Sequence, residues 1–407
     1  MIKHVLLIIA FSTSCLVLSQ LGNSWDKRES FGGLKREKAV AFSIDNLGYV
    51  SCGVDTAEIT HNDLWSYDPT TDSWTQLASI PASERRNAIA FSINGKGYVG
   101  TGFSLDDGDL GTKLKDFWEY NPLVNNWTER ANYPGGGDTG IYQASAFAIL
   151  NKGYVVCGKI GSDAYIPEMW QYDPFTDNWT PRTPFPGGDR YQLVSFTLEG
   201  HAFVGLGTDH DVLRKDMHEY DPVTNTWEDL ADFPGTERAQ SSSFSIGVNG
   251  YVLFGSDGGL KDELWEYNFY TKSWIQRAPF PGGGRISAIA FSLGDKGYAG
   301  LGKEVSGKKQ SFYEYTPAGP LSIQSPEKFE WSIYPNPMQT ETIIQLPIDL
   351  NKGELKLFSA DGRELFAQTI SNGTLTISRG SFTTGLYYLV VIDEIGNVLA
   401  SEKLIIQ

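Results

Sequence analysis

The segment Trp65-Ser-Tyr-Asp-Pro-Thr-Thr-Asp-Ser-Trp74 decides the fold, because the chain repeats it. Further copies begin at Trp118, Trp170, His218 and Trp265, and a weaker sixth copy begins at Phe312. Consecutive copies start 47 to 53 residues apart. A second unit of two apolar runs joined by a tight turn recurs between them, at residues 39–53, 88–102, 144–158, 193–207, 241–255 and 288–302. Repetition at this period indicates an array of similar structural units.

Each repeat is predicted to hold four short β-strands. The strand that precedes each Gly-Tyr-like step has phenylalanine at one fixed place. These residues are Phe42, Phe91, Phe147, Phe196, Phe244 and Phe291. Ile or Leu follows two residues later in every copy, as alternating burial in a strand requires. The residue preceding each Phe is Ala or Ser, which suits an innermost strand crowded around an axis. Asp-Pro or Asn-Pro begins the turn between the third and fourth strands in most copies. A period near 50 with four strands predicts a β-propeller.

The two ends of the array predict how the ring closes. The sixth copy runs into the stretch 316–320, Thr-Pro-Ala-Gly-Pro, instead of a fourth strand that carries Trp. Trp25 precedes Phe42 by the same interval that separates Trp74 from Phe91. The N-terminal segment is therefore expected to supply the outer strand of the last blade and to protect its edge. This gives six blades within residues 20–320.

Composition agrees with an all-β fold. The 407 residues are 41% hydrophobic and 13% aromatic and include 44 Gly, which favours aromatic-rich strands joined by tight turns. The net charge of −16 argues against nucleic acid as a partner, because nucleic-acid binders concentrate Lys and Arg.

Residues 1–19 are typical of a secretory signal peptide, with Lys3 before the apolar run Val5–Phe11 and a small residue, Ser19, at the end. Cys15 leaves lipoprotein acylation open as an alternative. No later apolar run reaches the ~18 residues of a membrane-spanning helix, so no transmembrane segment is expected.

The period changes after the polar linker at 321–328. Residues 329–407 contain short alternating strands separated by Asp361-Gly362 and Asn372-Gly373, which are hairpin turn signals. We predict a small immunoglobulin-like β-sandwich.

Two family resemblances follow from these motifs. The repeats resemble the kelch family, although the usual Gly-Gly pair after the second strand is reduced to its second Gly, as in Cys52-Gly53. The terminal segment resembles the type A sorting domain of the type IX secretion system, through residues 332–337 (Ser-Ile-Tyr-Pro-Asn-Pro), 355–362, 385–391 and 402–406. That resemblance implies that the secretion machinery recognises residues 329–407 and that the protein is secreted or held at the outer cell surface. The alternative is an ordinary immunoglobulin-like accessory domain that itself binds a ligand.

Long loops are expected on one face of the ring and short turns on the other, so ligand contacts are sought on the long-loop face. Arg occupies the position six residues before the recurrent Phe in five repeats: Arg36, Arg85, Arg190, Arg238 and Arg285. Ile141 takes this position in the third repeat. Two residues further on stand Lys38, Asn87, Gln143, Gln192, Gln240 and Ser287. These sets are candidates for hydrogen-bonding a sugar or peptide. The alternative is that the repeated Arg serves the fold.

No metal or cofactor is predicted. The loop acids Asp106, Asp107, Asp109, Asp209 and Asp211 match no cation-loop spacing and are interpreted as solvated surface. The five histidines show no spacing that would force them together around a transition metal. Cys52 and Cys157 occupy equivalent positions in separate blades, so we expect buried free thiols.

Two classes of function remain open. The first is a binding module, expected to be monomeric, for a carbohydrate or protein ligand. The second is a carbohydrate-active enzyme of the sialic acid mutarotase type, suggested by kelch relatives, in which Glu84, Glu237 and the Arg set could serve. The copper chemistry of the kelch relative galactose oxidase finds no matching residues here. No motif singles out a general acid or base, so the sequence favours the binding module and leaves catalysis undecided.

Overall fold

A computed structural model describes residues 23–105, 111–137, 139–160, 164–317, 331–346, 353–359, 364–370, 374–392 and 398–407. The chain divides into two units, Met1–Gly319 and Pro320–Gln407. The predicted signal peptide, the whole linker at 321–328 and the acids Asp106, Asp107 and Asp109 lie outside the described residues. The described residues form strands and turns, and none of them lies in a helix long and apolar enough to cross a membrane.

The first unit is a β-propeller with six four-stranded antiparallel sheets among its described residues. From the innermost strand outward, blade 1 consists of Val40–Ile44, Leu47–Ser51, Leu64–Asp68 and Ser73–Leu77. Blade 2 consists of Ile89–Ile93, Lys96–Gly100, Phe117–Asn121 and Asn126–Arg130. Blade 3 consists of Ser145–Ile149, Lys152–Val156, Met169–Asp173 and Asn178–Arg182. Blade 4 consists of Val194–Leu198, His201–Gly205, Met217–Asp221 and Thr226–Asp229. Blade 5 consists of Ala239–Ile246, Asn249–Ser256, Leu264–Asn268 and Ser273–Arg277. Blade 6 consists of Ile289–Leu293, Lys296–Gly300, Phe312–Thr316 and Ser24–Arg28.

Short two-stranded ribbons extend the loops on one face. They pair Arg36–Glu37 with Val54–Asp55, Phe103–Ser104 with Thr112–Lys113, Thr208–Asp209 with Val212–Leu213, and Lys303–Glu304 with Gly307–Lys308. The connections between blades reach the same face, because the first of these ribbons pairs the segment entering blade 1 with the loop after its second strand. This is the long-loop face.

The recurrent Phe explains the glycine in the Gly-Tyr step of the second strand. Phe42 is buried and stacks on Tyr49 of its own blade with ring centroids 5.2 Å apart. Its ring edge also lies against Gly97 of the next blade, where an added Cβ would come within 2.2 Å of the Phe42 ring. Phe91 meets Gly153 in the same way. A side chain at these glycines would push neighbouring blades apart, so close backbone approach restricts this position to Gly in five blades and to the small Ala202 in blade 4.

The ring closes through the start of the described chain. Ser24–Arg28 pairs antiparallel with Phe312–Thr316, and Trp25 lies opposite Tyr315. The indole of Trp25 donates to the carbonyl of Ala278 at 3.0 Å. A second closing contact lies on the long-loop face, where the buried ammonium of Lys308 in blade 6 donates to the Asp55 carbonyl at 2.6 Å. The N-terminal strand therefore completes blade 6, and the Lys308 contact joins blade 6 to blade 1.

The terminal unit contains two antiparallel sheets among its described residues. One has the strands Ser332–Tyr334, Glu341–Gln345 and Thr374–Ser378, and the other has Glu364–Thr369, Glu354–Ser359, Gly385–Ile392 and Val398–Ile406. Leu355, Leu357 and Leu389 from the second sheet and Ile344 from the first are fully buried in one core. Burial of alternate residues from both sheets is the packing of a β-sandwich.

Candidate functional site

The five repeated arginines lie inside the blades. Their exposed fraction is at most 2%. Arg36 illustrates the arrangement: its guanidinium donates to both carboxylate oxygens of Asp63 at 2.6 and 2.9 Å and to the Cys52 carbonyl at 3.0 Å. The same carboxylate accepts a hydrogen bond from the indole of Trp65 at 2.9 Å, and the Phe31 ring covers the guanidinium at 5.0 Å. Burying an arginine is tolerable here because its charge is paired and its donors are used.

The other four arginines are paired in related ways. The pairs are Arg85 with Asp116, Arg190 with Asp216, Arg238 with Glu263, and Arg285 with Glu304 and Ser311. These side chains have almost no surface with which to touch a ligand. We therefore correct the interpretation of the arginine set as ligand contacts and assign it the alternative role, in which each guanidinium fastens the loop before the inner strand to a neighbouring loop or to the start of the third strand.

Blade 3 lacks this arginine and fills the space differently. Ile141 is fully buried at the arginine position. Tyr133 replaces the aromatic or aliphatic residue beneath the guanidinium, and burial raises the pKa of its phenol well above the ordinary value. Glu168, which stands where Asp63 stands in blade 1, still accepts from the Trp170 indole at 3.0 Å. An apolar side chain can thus replace the ion pair without loss of the blade.

The second polar set meets at the propeller axis. The residues Lys38, Asn87, Gln143, Gln192, Gln240 and Ser287 line one central cavity of about 160 Å³ on the long-loop face. All six have φ between +50 and +61°. In this conformation each backbone N–H donates to the carbonyl of the equivalent residue in the preceding blade, at 3.0 to 3.4 Å, and Lys38 donates to Ser287. The six residues therefore form a closed ring of backbone hydrogen bonds, which we call the axial ring.

The axial cavity is polar at its rim, and the residues that line it below the rim have mostly small side chains. Its other lining residues are Ala39, Ala88, Ala144, Leu193, Ser241 and Ala288. The Ser287 hydroxyl lies 2.8 Å from the Gln240 amide oxygen. Lys38 is the one charged residue among the described residues that line the cavity, and burial lowers its pKa although Glu37 opposes the effect. The cavity offers mainly amide and hydroxyl groups, each able to donate and accept.

Aromatic side chains lie beside the axial ring on the side of blades 2 to 4. Phe103 contacts Tyr142 with ring centroids 5.4 Å apart, and Tyr165 stacks on Tyr191 at 4.6 Å and 21°. The Lys159 ammonium lies 5.4 and 5.3 Å from the Tyr165 and Tyr191 centroids. We call Phe103, Tyr142, Tyr165 and Tyr191 the aromatic arc. Sequence reasoning missed it, although Tyr142 and Tyr191 immediately precede the axial residues Gln143 and Gln192.

The remaining candidate groups do not converge. Asp209 is bonded to His210 and Arg214, which hold the pKa of that carboxyl below its ordinary value. No cluster of three His, Cys, Asp or Glu suited to a metal occurs within the described part of the chain. Cys52 and Cys157 are free and buried, and burial raises the pKa of the Cys52 thiol to about 11.

Comparison with known proteins identifies the terminal unit and supports the fold of the first. Residues 332–407 match the family described as "Secretion system C-terminal sorting domain". The protein is therefore secreted or attached at the outer cell surface. A solved structure titled "Structure of YjhT" matches with a TM-score of 0.57 and 16% sequence identity, over 70% of this chain and 96% of that chain. This likeness concerns the fold alone. No curated protein matches the sequence.

Proposed function

We propose that this protein is a carbohydrate-binding propeller that the secretion system delivers to the cell surface, and that it binds its ligand at the axial cavity. The observation that carries the proposal is the convergence of side chains from all six blades on this cavity, three of them glutamine and one asparagine. A side-chain amide presents a donor and an acceptor close together, which matches the neighbouring hydroxyl groups of a sugar.

The backbone of the axial ring favours a sugar over a peptide strand. An extended peptide is commonly bound by adding a strand to an open sheet edge, which requires free N–H and C=O groups. In the axial ring these groups bond to one another around the axis. Among the described residues that line the cavity, Leu193 is the one large apolar residue, so this lining lacks the apolar pockets that anchor protein partners. Recognition through side-chain amides is what the site offers.

The enzymatic alternative would require a general acid and a general base at the cavity. No carboxylate or imidazole is among the described residues that line it, and Glu84 and Glu237 lie elsewhere. On the long-loop face the pKa values of Asp55, Glu58 and Asp209 lie below their ordinary values, because hydrogen-bond donors outweigh the effect of burial. Such carboxylates stay ionised at neutral pH and are poor proton donors. These features support binding rather than mutarotase-type catalysis.

The test is a glycan and peptide array probed with the full-length protein and two variants. Gln143→Ala combined with Gln192→Ala is expected to reduce glycan binding about tenfold or more, since each lost hydrogen bond is worth about 1 kcal/mol. Gln76→Ala, on an outer strand and exposed, is the matched control and is expected to bind as the wild type does. Retention of peptides but no glycans, or unchanged binding by the double variant, would refute the proposal.

A further inference from the structure

The position just before each axial residue varies around the ring, whereas most repeated positions do not. It holds Glu37, Arg86, Tyr142, Tyr191, Ala239 and Ile286 in blades 1 to 6. A feature repeated in nearly every blade more often serves the fold, as the five buried arginines illustrate. A position that differs from blade to blade is free to serve recognition, and here the differences are not scattered. The aromatic residues stand in the adjacent blades 3 and 4.

On the side of blades 6 and 1, Glu37, which immediately precedes the axial residue Lys38, belongs to a group of charges bound to one another. Lys308 donates to Glu58 at 2.7 Å and to the Asp55 carbonyl at 2.6 Å, and its ammonium lies 3.7 Å from Glu37. These groups join blade 6 to blade 1 and are committed to ring closure. The aromatic arc, in contrast, is half-buried, and its rings contact one another and Arg86, Lys159 and His210.

The size of the axial cavity limits what it can enclose. Sites that bury a whole ligand of ordinary size measure about 300 to 1,000 Å³. The axial cavity measures about 160 Å³ and so holds only the end of such a ligand. The remainder must lie on the surrounding surface. Tyr142 and Tyr191 adjoin Gln143 and Gln192 in the chain, so the aromatic arc begins where the cavity rim ends.

We propose that the ligand is an oligosaccharide of at least two sugar units, with its terminal unit in the axial cavity and the following unit on the aromatic arc at Tyr165 and Tyr191. This inference rests on the proposed function and adds a chain-length requirement to it. Aromatic rings bind the apolar faces of sugars and keep their hydroxyl groups in water, so a tyrosine pair beside an amide-lined cavity provides two adjoining subsites of different chemistry.

The test uses an array that carries matched mono-, di-, tri- and tetrasaccharides of each sugar series. The wild type is expected to bind the di-, tri- and tetrasaccharides at least fivefold more tightly than the monosaccharide of the same series. Tyr165→Ala, and separately Tyr191→Ala, are expected to abolish that gain, so that each longer sugar binds no more tightly than the monosaccharide. The matched control is Tyr270→Ala, which removes a tyrosine that is 67% exposed in the turn between the third and fourth strands of blade 5.

The outcomes separate this inference from the proposed function. Equal binding of monosaccharide and tetrasaccharide by the wild type would overturn the chain-length requirement while preserving the sugar site. Tyrosine variants that fold, judged by unchanged thermal unfolding, and keep the wild-type dependence on length would overturn the role of the aromatic arc. Absence of any bound sugar would refute the proposed function itself.

Discussion

Replacing Trp25 by alanine is expected to lower the free energy of unfolding of the propeller by about 3 kcal/mol. Trp25 is half-buried, so its lost burial contributes about 1.5 kcal/mol. The hydrogen bond from its indole to the Ala278 carbonyl adds about 1 kcal/mol. Contacts with Phe280 and Tyr315, at centroid distances of 5.1 and 5.0 Å, add about 0.5 kcal/mol or more. The total lies at the lower end of core tryptophan truncations.

Chemical denaturation followed by circular dichroism measures this change, with Trp227→Ala as the matched control. Trp227 has the same environment in blade 4, with its indole 3.0 Å from the Thr183 carbonyl and its ring beside Phe185 and Tyr220. Its strand, however, adjoins the rest of its blade in sequence. Both variants should lose similar stability if the N-terminal strand closes the ring. Wild-type stability for Trp25→Ala together with a clear loss for Trp227→Ala would refute the closure.

Two further predictions concern the buried ion pairs. Glu263→Ala should lower the free energy of unfolding by about 3 kcal/mol, because it leaves the Arg238 guanidinium buried without its carboxylate. Glu263→Gln should lower it less, because a hydrogen-bond acceptor remains. Equal urea midpoints for the two variants would contradict this. Burial would raise the pKa of Asp216, but hydrogen bonds from His218 and Arg190 outweigh it and lower that pKa from 3.8 to about 2. The ionised carboxylate therefore contributes about 2 kcal/mol above pH 4, which is lost as the pH falls from about 4 to 2. Asp216→Asn should remove this part of the acid destabilisation, and identical pH profiles for wild type and variant would exclude it.

The architecture of the propeller could be predicted because its signals are local and repeated. The Phe of each inner strand, the glycine of the second strand and the closing Trp recur at fixed spacing, and each reports a packing requirement of a single blade. Closure could be predicted from one interval, from Trp25 to Phe42, because the outer strand of a blade stands at a set distance before the next inner strand.

The role of the arginines could not be predicted from their own repetition. The carboxylate partners lie 25 to 31 residues further along the chain in four blades, beyond the first two strands of the blade and the loop that follows them. A signal was nevertheless present, since an acidic residue stands two positions before Trp65 and Trp118, as before their counterparts in blades 3 to 5. Repetition of a charge alone does not distinguish a buried, paired group from an exposed one.

The sequence by itself determined the number of blades, the strand that completes the sixth, and the terminal domain that directs export. Each of these depends on patterns that a single blade or a single domain imposes on neighbouring residues. Only the tertiary structure decided that Arg36 and its counterparts are buried, that Lys38, Gln143 and Gln192 meet at the axis, and that aromatic rings gather on one side of it. The physical reason is that the ring brings together axial residues that lie about 50 positions apart in different blades. The folding of each blade, in turn, brings its arginine to partners that lie well beyond it in the chain.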